Sequence, residues 1–351
     1  MPRGMFLLIF IKMTEENHEL LRCSIEIDSM QSLCRSINTI GPYLSGLSLD
    51  TPLSEDLIHY YTDMRVRRLS YKSFQIPKKS GGFRIITAPH GTLKNIMYTL
   101  AYILTELYIP TPEAMAFIPG RSIANNASQH LDQNYVLNLD LKDFFPSISA
   151  AMVEINLEKL GMPALVAREV ATICTYPEFI DGHVKNVLPQ GAPTSPVLSN
   201  ICAMTLDNRL SGLARRFHLT YTRYADDITF SSNHNVYQAE GEFMKELYRI
   251  ISDCHFTINP KKTRIQKRGT RQEVTGITVN EKPNVSRRYI KNLRTAIHLI
   301  KYQESPSIHD INVIRGKLNF IRMIKGAEDS TYIRYIRNLN AAVKGKHFSE
   351  S

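Results

Sequence analysis

Three carboxylates sitting in two short apolar segments constrain this chain more than any other feature. Asp140 closes the strand-like run Val136-Leu-Asn-Leu-Asp140, and Asp226-Asp227 interrupt the alternating segment Tyr221-Thr-Arg-Tyr-Ala-Asp-Asp-Ile-Thr-Phe230 where a hairpin should turn. A carboxylate beside an apolar strand is costly to bury unless it is paired or binds a cation. Adjacent carboxylates also repel, and a divalent cation relieves that repulsion. If the two strands are neighbours in one sheet, all three acids meet at one edge. Such an edge suits two Mg²⁺ ions roughly 3.5–4 Å apart, clamping the attacking and leaving oxygens of an in-line phosphoryl displacement. Mg²⁺ fits because it takes few carboxylates and fills its shell with water and substrate phosphates. An Asp-Asp pair alone is weak, since most are exposed turn residues.

The surrounding pattern predicts an α+β chain. Residues 1–70 read as a helical region, with Leu57, Tyr60, Tyr61, Met64 and Leu69 near helical spacing. Ser73–Pro77 and Phe83–Ala88 read as strands around a basic loop, Lys78-Lys79-Ser80-Gly81-Gly82. A helix follows through Ile96, Leu100, Ile103 and Leu107, then a strand over Tyr135–Leu141 and a long helix within Pro193–Phe217. Leu219–Tyr224 and Asp227–Ser231 form the expected hairpin, and Phe243, Leu247 and Ile251 mark another helix. The unit spanning 71–283 ends near Asn280–Pro283. Three apolar stripes then predict a helical region over 284–351: Tyr289/Leu293/Ile297/Ile300, Ile314/Leu318/Ile321 and Tyr332/Ile336/Leu339. At 351 residues the chain can bury one large core or two to three coupled ones.

Charge is uneven. Residues 261–351 carry 20 basic and 7 acidic side chains, whereas residues 1–260 carry 23 and 26, so the last quarter holds the whole excess of the +10 formal charge. Alone, that fits either a grip on a polyanion or a solvated helical face. The five cysteines have no metal-ligand spacing and read as packed thiols of a reducing cytosol. The apolar run Met5–Ile11 is too short to cross a bilayer. It reads as a buried segment or a start-codon artefact, and the expectation is a cytoplasmic protein without membrane contact.

Four motifs in order turn the carboxylates into a specific signal. They are Leu139-Asp140 with Phe144-Phe145-Pro146; Leu188-Pro-Gln-Gly-Ala-Pro-Thr-Ser-Pro196; Tyr224-Ala-Asp-Asp227; and Asn259-Pro-Lys-Lys-Thr263. Asn126-Ala-Ser-Gln-His130 and Val274-Thr-Gly276 are further short segments, each worthless by itself. A lone His130 would more often be a satisfied helix histidine. Together, over about Phe74 to Met323, these residues resemble the reverse transcriptases of bacterial retrons, and the last two segments resemble the NAxxH and VTG signatures of that family.

The resemblance implies a right-hand polymerase fold with fingers, an antiparallel-sheet palm carrying the catalytic hairpin, and a basic helical thumb. It implies that Asp140, Asp226 and Asp227 hold two Mg²⁺ ions for RNA-directed DNA synthesis from dNTPs. Phe145 would lie under the incoming sugar, where a bulky ring leaves no room for a 2′-OH. Read without the resemblance, Phe144 and Phe145 are core aromatics. Asp143 joins the nucleotide-binding set, although by itself it reads as a solvated loop acid. Gly191 permits close backbone approach, and Gln190 can hydrogen-bond nucleotide or template. Arg84 resembles the fingers arginine that meets the triphosphate, and Lys262 the lysine near the leaving pyrophosphate. The implied partners are a cognate structured noncoding RNA, its DNA product and a separate effector protein in anti-phage defence. Priming would come from the 2′-OH of an internal guanosine. Two rivals stand: a group II intron-like or diversity-generating reverse transcriptase, and a non-catalytic polymerase-like RNA-binding scaffold.

Overall fold

A computed structural model describes residues 15–44, 52–78 and 81–348. The Met5–Ile11 run and Lys79 lie outside the described residues. Among the described residues no helix is long and apolar enough to cross a membrane.

The N-terminal part is helical, as the pattern predicts, but differently divided: α1 (Glu15–Cys23), α2 (Met30–Ile40), α3 (Glu55–Thr62) and α4 (Met64–Leu69). Ser29 and Ser32 form a reciprocal capping box at the start of α2. The segment Leu57–Leu69 is helical as its spacing predicts, but it is two helices rather than one. Asp63 is extended, at φ −62° and ψ 126°, and its carboxylate caps α4 through the N–H groups of Arg65 and Val66. Leu57 and Tyr61 still pack against the core. Ile58 is the residue buried, while Tyr60, Met64 and Leu69 are exposed.

Strands β1 (Tyr71–Pro77) and β2 (Phe83–Pro89) pair antiparallel, with Phe74 opposite Ile86 and Ile76 opposite Arg84. Helix α5 (Gly91–Leu107) follows and buries nearly its whole length in the main core. Next come the short helix α6 (Ile123–Ser128), capped by Ser122, and strand β3 (Tyr135–Asp140). The pattern had left residues 147–187 unassigned. They form helices α7 (Ala150–Lys159) and α8 (Ala164–Cys174) and the hairpin β4 (Tyr176–Ile180)–β5 (His183–Val187). Helix α9 (Ser195–Arg216) has Pro196 in its first turn, where the missing N–H costs nothing, and it buries Leu198, Ile201, Leu206, Leu210 and Leu213.

The central sheet is four-stranded and wholly antiparallel. It comprises β6 (Thr220–Tyr224), β7 (Asp227–Ser232), β3 and β8 (Arg264–Lys267), in the order β6-β7-β3-β8. Its back is closed by α10 (Glu242–Asp253), whose Phe243 ring packs edge-on against Phe230, 5.3 Å between centroids. Tyr221 stacks on Phe230 at 4.9 Å. Burial of these rings fixes which sheet face points inward, while strand pairing sets which residues stand at each end.

A second apolar cluster lies C-terminal. It joins the small hairpin β9 (Glu273–Val274)–β10 (Ile277–Thr278) to α11 (Arg287–Tyr302), α12 (Ile308–Lys325) and α13 (Ser330–Val343). Leu293, Ile297, Ile314, Leu318, Ile321 and Leu339 form its centre, and Ala127 of α6 and Val136 of β3 enter it.

Candidate active site

The β6–β7 hairpin turns through Ala225 and Asp226, with Tyr224 opposite Asp227. Ala225 adopts φ 58°, the left-handed conformation a two-residue turn demands. Because β3 pairs with β7, Asp140 stands directly opposite Asp227, and the Leu141 N–H donates to the Asp226 carbonyl at 2.9 Å. The three acids therefore come from one sheet edge although 86 residues of chain separate Asp140 from Asp226.

Their electrostatics are those of crowded anions. Asp227 opens to solvent through the cleft yet is surrounded by protein; desolvation, then Asp226 and Asp140, push its carboxyl up to about 6. Asp226 is raised by desolvation too, with Asp140 adding repulsion and a backbone hydrogen bond, Lys262 and Arg84 opposing it. Asp140, buried, has its charge answered locally. Lys262 Nζ lies 2.6 Å from Oδ2, Asn259 Nδ2 donates to Oδ1 at 3.2 Å, and the Asn259 N–H holds the Asp140 carbonyl at 2.8 Å. Lys262 is in turn raised by this pairing, against a desolvation that pulls it down. Among the described residues no three His, Cys, Asp or Glu side chains are gathered closely enough to cage an ion. The donors nonetheless suit hard divalent cations: carboxylate oxygens on a shared edge, destabilised by one another's charge. The cleft beside them, a cavity of about 310 Å³, is lined by Asn138, Leu139, Asp140, Asp227, Lys261 to Arg264 and Thr275.

The other expected residues are distributed around this edge. Phe144 is buried against Phe256, and Phe145 lies half-buried beside it, 5.6 Å between centroids. Asp143 is exposed at φ 47° and contributes to raising Glu178, whose main cause is desolvation. Gln190 and Gly191 meet the fingers-like hairpin: the Thr87 N–H donates to the Gln190 carbonyl at 2.9 Å. Gly191 has φ 138°, and a Cβ there would lie 2.8 Å from Ile86 Cγ2 and 2.9 Å from the Thr87 oxygen. The close approach is therefore to β2, and side chains are excluded both by space and by backbone. Arg84, two residues earlier on β2, is exposed, and its charge reaches Asp226.

Two neighbours of the turn, Arg223 and Asp207, escaped the sequence reading. Arg223, fully buried, makes two bonds to Asp207 on α9, Nε to Oδ1 at 2.7 Å and Nη2 to Oδ2 at 2.6 Å. Its Nη1 donates to the Ala225 carbonyl at 3.1 Å and to Asn200 Oδ1 at 3.2 Å, and Tyr221 donates to Asp207 at 2.8 Å. The carboxylate turn is thus bolted to α9 through an ion pair within the fold. A signal existed: an arginine inside the strand Thr220–Tyr224 and an aspartate on the core face of an apolar helix each need a partner. His130, fully buried, bridges the hairpin by Nδ1 to Ser231 and Nε2 to Thr222, both at 2.7 Å, and burial drives its pKa down to about 3. The two short signature segments also meet: Asn126 Nδ2 donates to Thr275 Oγ1 at 3.5 Å, Thr275 taking φ 48° in the β9–β10 turn.

Comparison with known proteins agrees with this geometry. The family described as "Reverse transcriptase (RNA-dependent DNA polymerase)" matches residues 76–283. The retron Mx65 reverse transcriptase of Myxococcus xanthus is 38% identical over 78% of this chain and 66% of that protein. The retron Ec86 reverse transcriptase of Escherichia coli is 36% identical over 81% of this chain and 84% of that protein. A solved telomerase structure from Candida albicans matches at 12% identity and a TM-score of 0.47, over 84% of this chain and 61% of that one, too distant to bear on the assignment. The chain belongs to the reverse transcriptases, RNA-directed DNA polymerases of right-hand fold, and within them to those of bacterial retrons.

Proposed function

We propose that this chain copies a structured RNA, encoded beside its own gene, into a short DNA joined to that RNA by a 2′–5′ branch. The observation that carries the chemistry is the register placing Asp140 opposite Asp227 with Asp226 in the adjoining turn. Asp140, Asp226 and Asp227 would hold two Mg²⁺ ions, which supply charge neutralisation and activation of the attacking hydroxyl. The hydroxyl loses its proton to solvent water in the open cleft, a bond forms from its oxygen to the α-phosphorus of a dNTP, and the bond from that phosphorus to pyrophosphate breaks. Arg84 and Lys262 supply positive charge for the triphosphate and the leaving group. Gln190 and Gly191 position nucleotide or template, Asp143 borders the nucleotide, and Phe145 excludes the 2′-OH of a ribonucleotide. The exposed cations of α11 and α12 grip RNA through its backbone.

Resemblance to the retron enzymes supports priming from an internal guanosine 2′-OH, a multicopy single-stranded DNA product, a cytoplasmic location, and defence against phage with a separate effector protein. The test is to express the gene with its upstream flank and extract nucleic acid. A short DNA should appear that stays attached to RNA until a debranching enzyme cuts the 2′–5′ bond. Linear DNA primed from a 3′-OH would sink the retron-type product while leaving the polymerase reading intact.

A further inference from the structure

Phe117 stands apart from everything around it. Its neighbours Ala114, Met115, Ala116 and Ile118 are all buried, whereas Phe117 is 41% exposed. Its backbone is left-handed, at φ 60°, which is a genuine outlier for a bulky residue and costs of order 1–3 kcal/mol. A glycine would sit there without strain.

The strain persists because the loop is pinned on several sides. The Arg223 N–H donates to the Glu113 carbonyl and the Met115 N–H to the Arg223 carbonyl, both at 2.8 Å, so the loop is stitched to the strand that ends in the carboxylate turn. Asn200, itself held by Arg223, donates from Nδ2 to the Ala116 carbonyl at 2.8 Å. Arg121 Nη1 gathers the carbonyls of Thr111 at 2.6 Å, Pro112 at 3.2 Å and Ala114. All this order presents one aromatic ring to solvent, 6.3 Å from the ring of Phe145 and tilted 46° to it. About two-fifths of the residue stays open beside Phe145, a surface the fold itself leaves uncovered next to the acidic edge.

We propose that Phe117 is a specificity-determining residue. Its ring and that of Phe145 form one apolar wall against which the sugar and base of the incoming deoxynucleotide lie. This rests on the reading of Phe145 as the sugar gate. The wall's second half comes from a loop rigidly tied to the carboxylate turn, so the nucleotide is held at a fixed distance from the acids. Covering the exposed ring on nucleotide binding should strengthen binding by about 10-fold or more, the yield of burying a large part of a Phe side chain.

The experiment is single-nucleotide incorporation by Phe117→Gly, Phe117→Leu, Phe117→Tyr and Phe145→Val, with thermal melting of each. Phe117→Gly should melt within a few degrees of the parent, because relief of backbone strain offsets the lost packing, yet raise the dNTP KM by about 10-fold with kcat little changed. Phe117→Leu should raise KM less, and Phe117→Tyr should restore the parental value. A lower Tm in Phe117→Gly with unchanged KM would make the ring structural and overturn the inference. So would Phe145→Val admitting ribonucleotides while all Phe117 variants keep the parental KM, an outcome that leaves the sugar gate standing. If instead Phe145→Val leaves the dNTP/rNTP preference unchanged, the gate reading itself falls and this inference with it.

Discussion

The central sheet and the C-terminal helices, the expected palm and thumb, treat most of their arginines differently. Around the sheet, five arginines are matched within the fold, Arg209 with Asp253, Arg216 with Glu242, Arg249 with Glu246, Arg268 with Asp132, and Arg223 with Asp207 at full burial, while Arg264 stays exposed at the cleft. In the thumb, Arg287, Arg288, Lys291, Arg294, Arg315 and Arg322 are all exposed, and among the described residues none of them joins an ion pair. The stripes between them, Leu293, Ile297, Ile314 and Leu318, are buried. The sheet's crowded charge is instead negative and local, at Asp226 and Asp227, where desolvation and neighbouring carboxylates outweigh the nearby cations. One region therefore places charge where a reaction needs it, and the other leaves charge outward where a polyanion can meet it.

The largest effect should follow from removing one charge at the acidic edge. Asp226→Asn should lower DNA synthesis by roughly 10³-fold or more, about 4 kcal/mol of transition-state stabilisation, while melting within a few degrees of the parent. Primer extension at saturating Mg²⁺ measures it; near-parental extension by a folded variant would remove Asp226 from the chemistry.

Next is the buried pair. Asp207→Ala leaves Arg223 charged and uncompensated, and should cost about 3–5 kcal/mol in chemical denaturation. Arg223→Met combined with Asp207→Leu should recover most of that stability, since an apolar pair of similar volume avoids the desolvation cost. It should not recover the hold on the Ala225 carbonyl, so its Mg²⁺ requirement for extension should stay raised. A double variant with parental Mg²⁺ dependence would show that the pair supports only the fold.

His130 gives a smaller, graded effect. Its folded pKa, near 3, lies below the ordinary value of about 6.5, so below pH 6.5 the unfolded chain binds a proton that the folded chain refuses. Stability is then full above pH 6.5 and falls by about 1.4 kcal/mol for each pH unit from there towards 3. His130→Gln, which can still bond Ser231 or Thr222, should flatten that slope in urea titrations between pH 6.5 and 5. An unchanged slope would assign the acid sensitivity to other groups.

The smallest effect on stability, and a clear one on binding, belongs to the thumb. Neutralising Arg287, Arg288, Arg294 and Arg315 to Gln should shift stability by no more than about 0.5 kcal/mol per site. Each lost phosphate contact should flatten the log–log salt dependence of RNA binding by about one unit.

What the sequence made legible follows the range of the interactions. The catalytic hairpin could be read because period-two alternation and a turn occupy ten consecutive residues, Tyr221–Phe230. The thumb helices could be read because each stripe is local. Partners in space could not: that Gly191 is crowded by Thr87, or that Asn126 reaches Thr275, depends on contacts over roughly a hundred residues or more. The helical spacing through Leu57–Leu69 holds, but the division into two helices was not legible, because one aspartate, Asp63, ends one helix and caps the next. Phe117 gave no signal, since an aromatic in a loop carries no mark of its backbone conformation.

The most direct test of the division between palm and thumb measures extension and RNA affinity on the same two proteins, Asp226→Asn and the four-site thumb variant. Asp226→Asn should keep parental RNA affinity and salt slope while losing synthesis. The thumb variant should show a flattened salt slope and weaker RNA binding, yet extend at near-parental kcat once RNA is saturating. If Asp226→Asn loses RNA binding as steeply as synthesis, or the thumb variant binds RNA as the parent does, the two regions do not divide the work in this way.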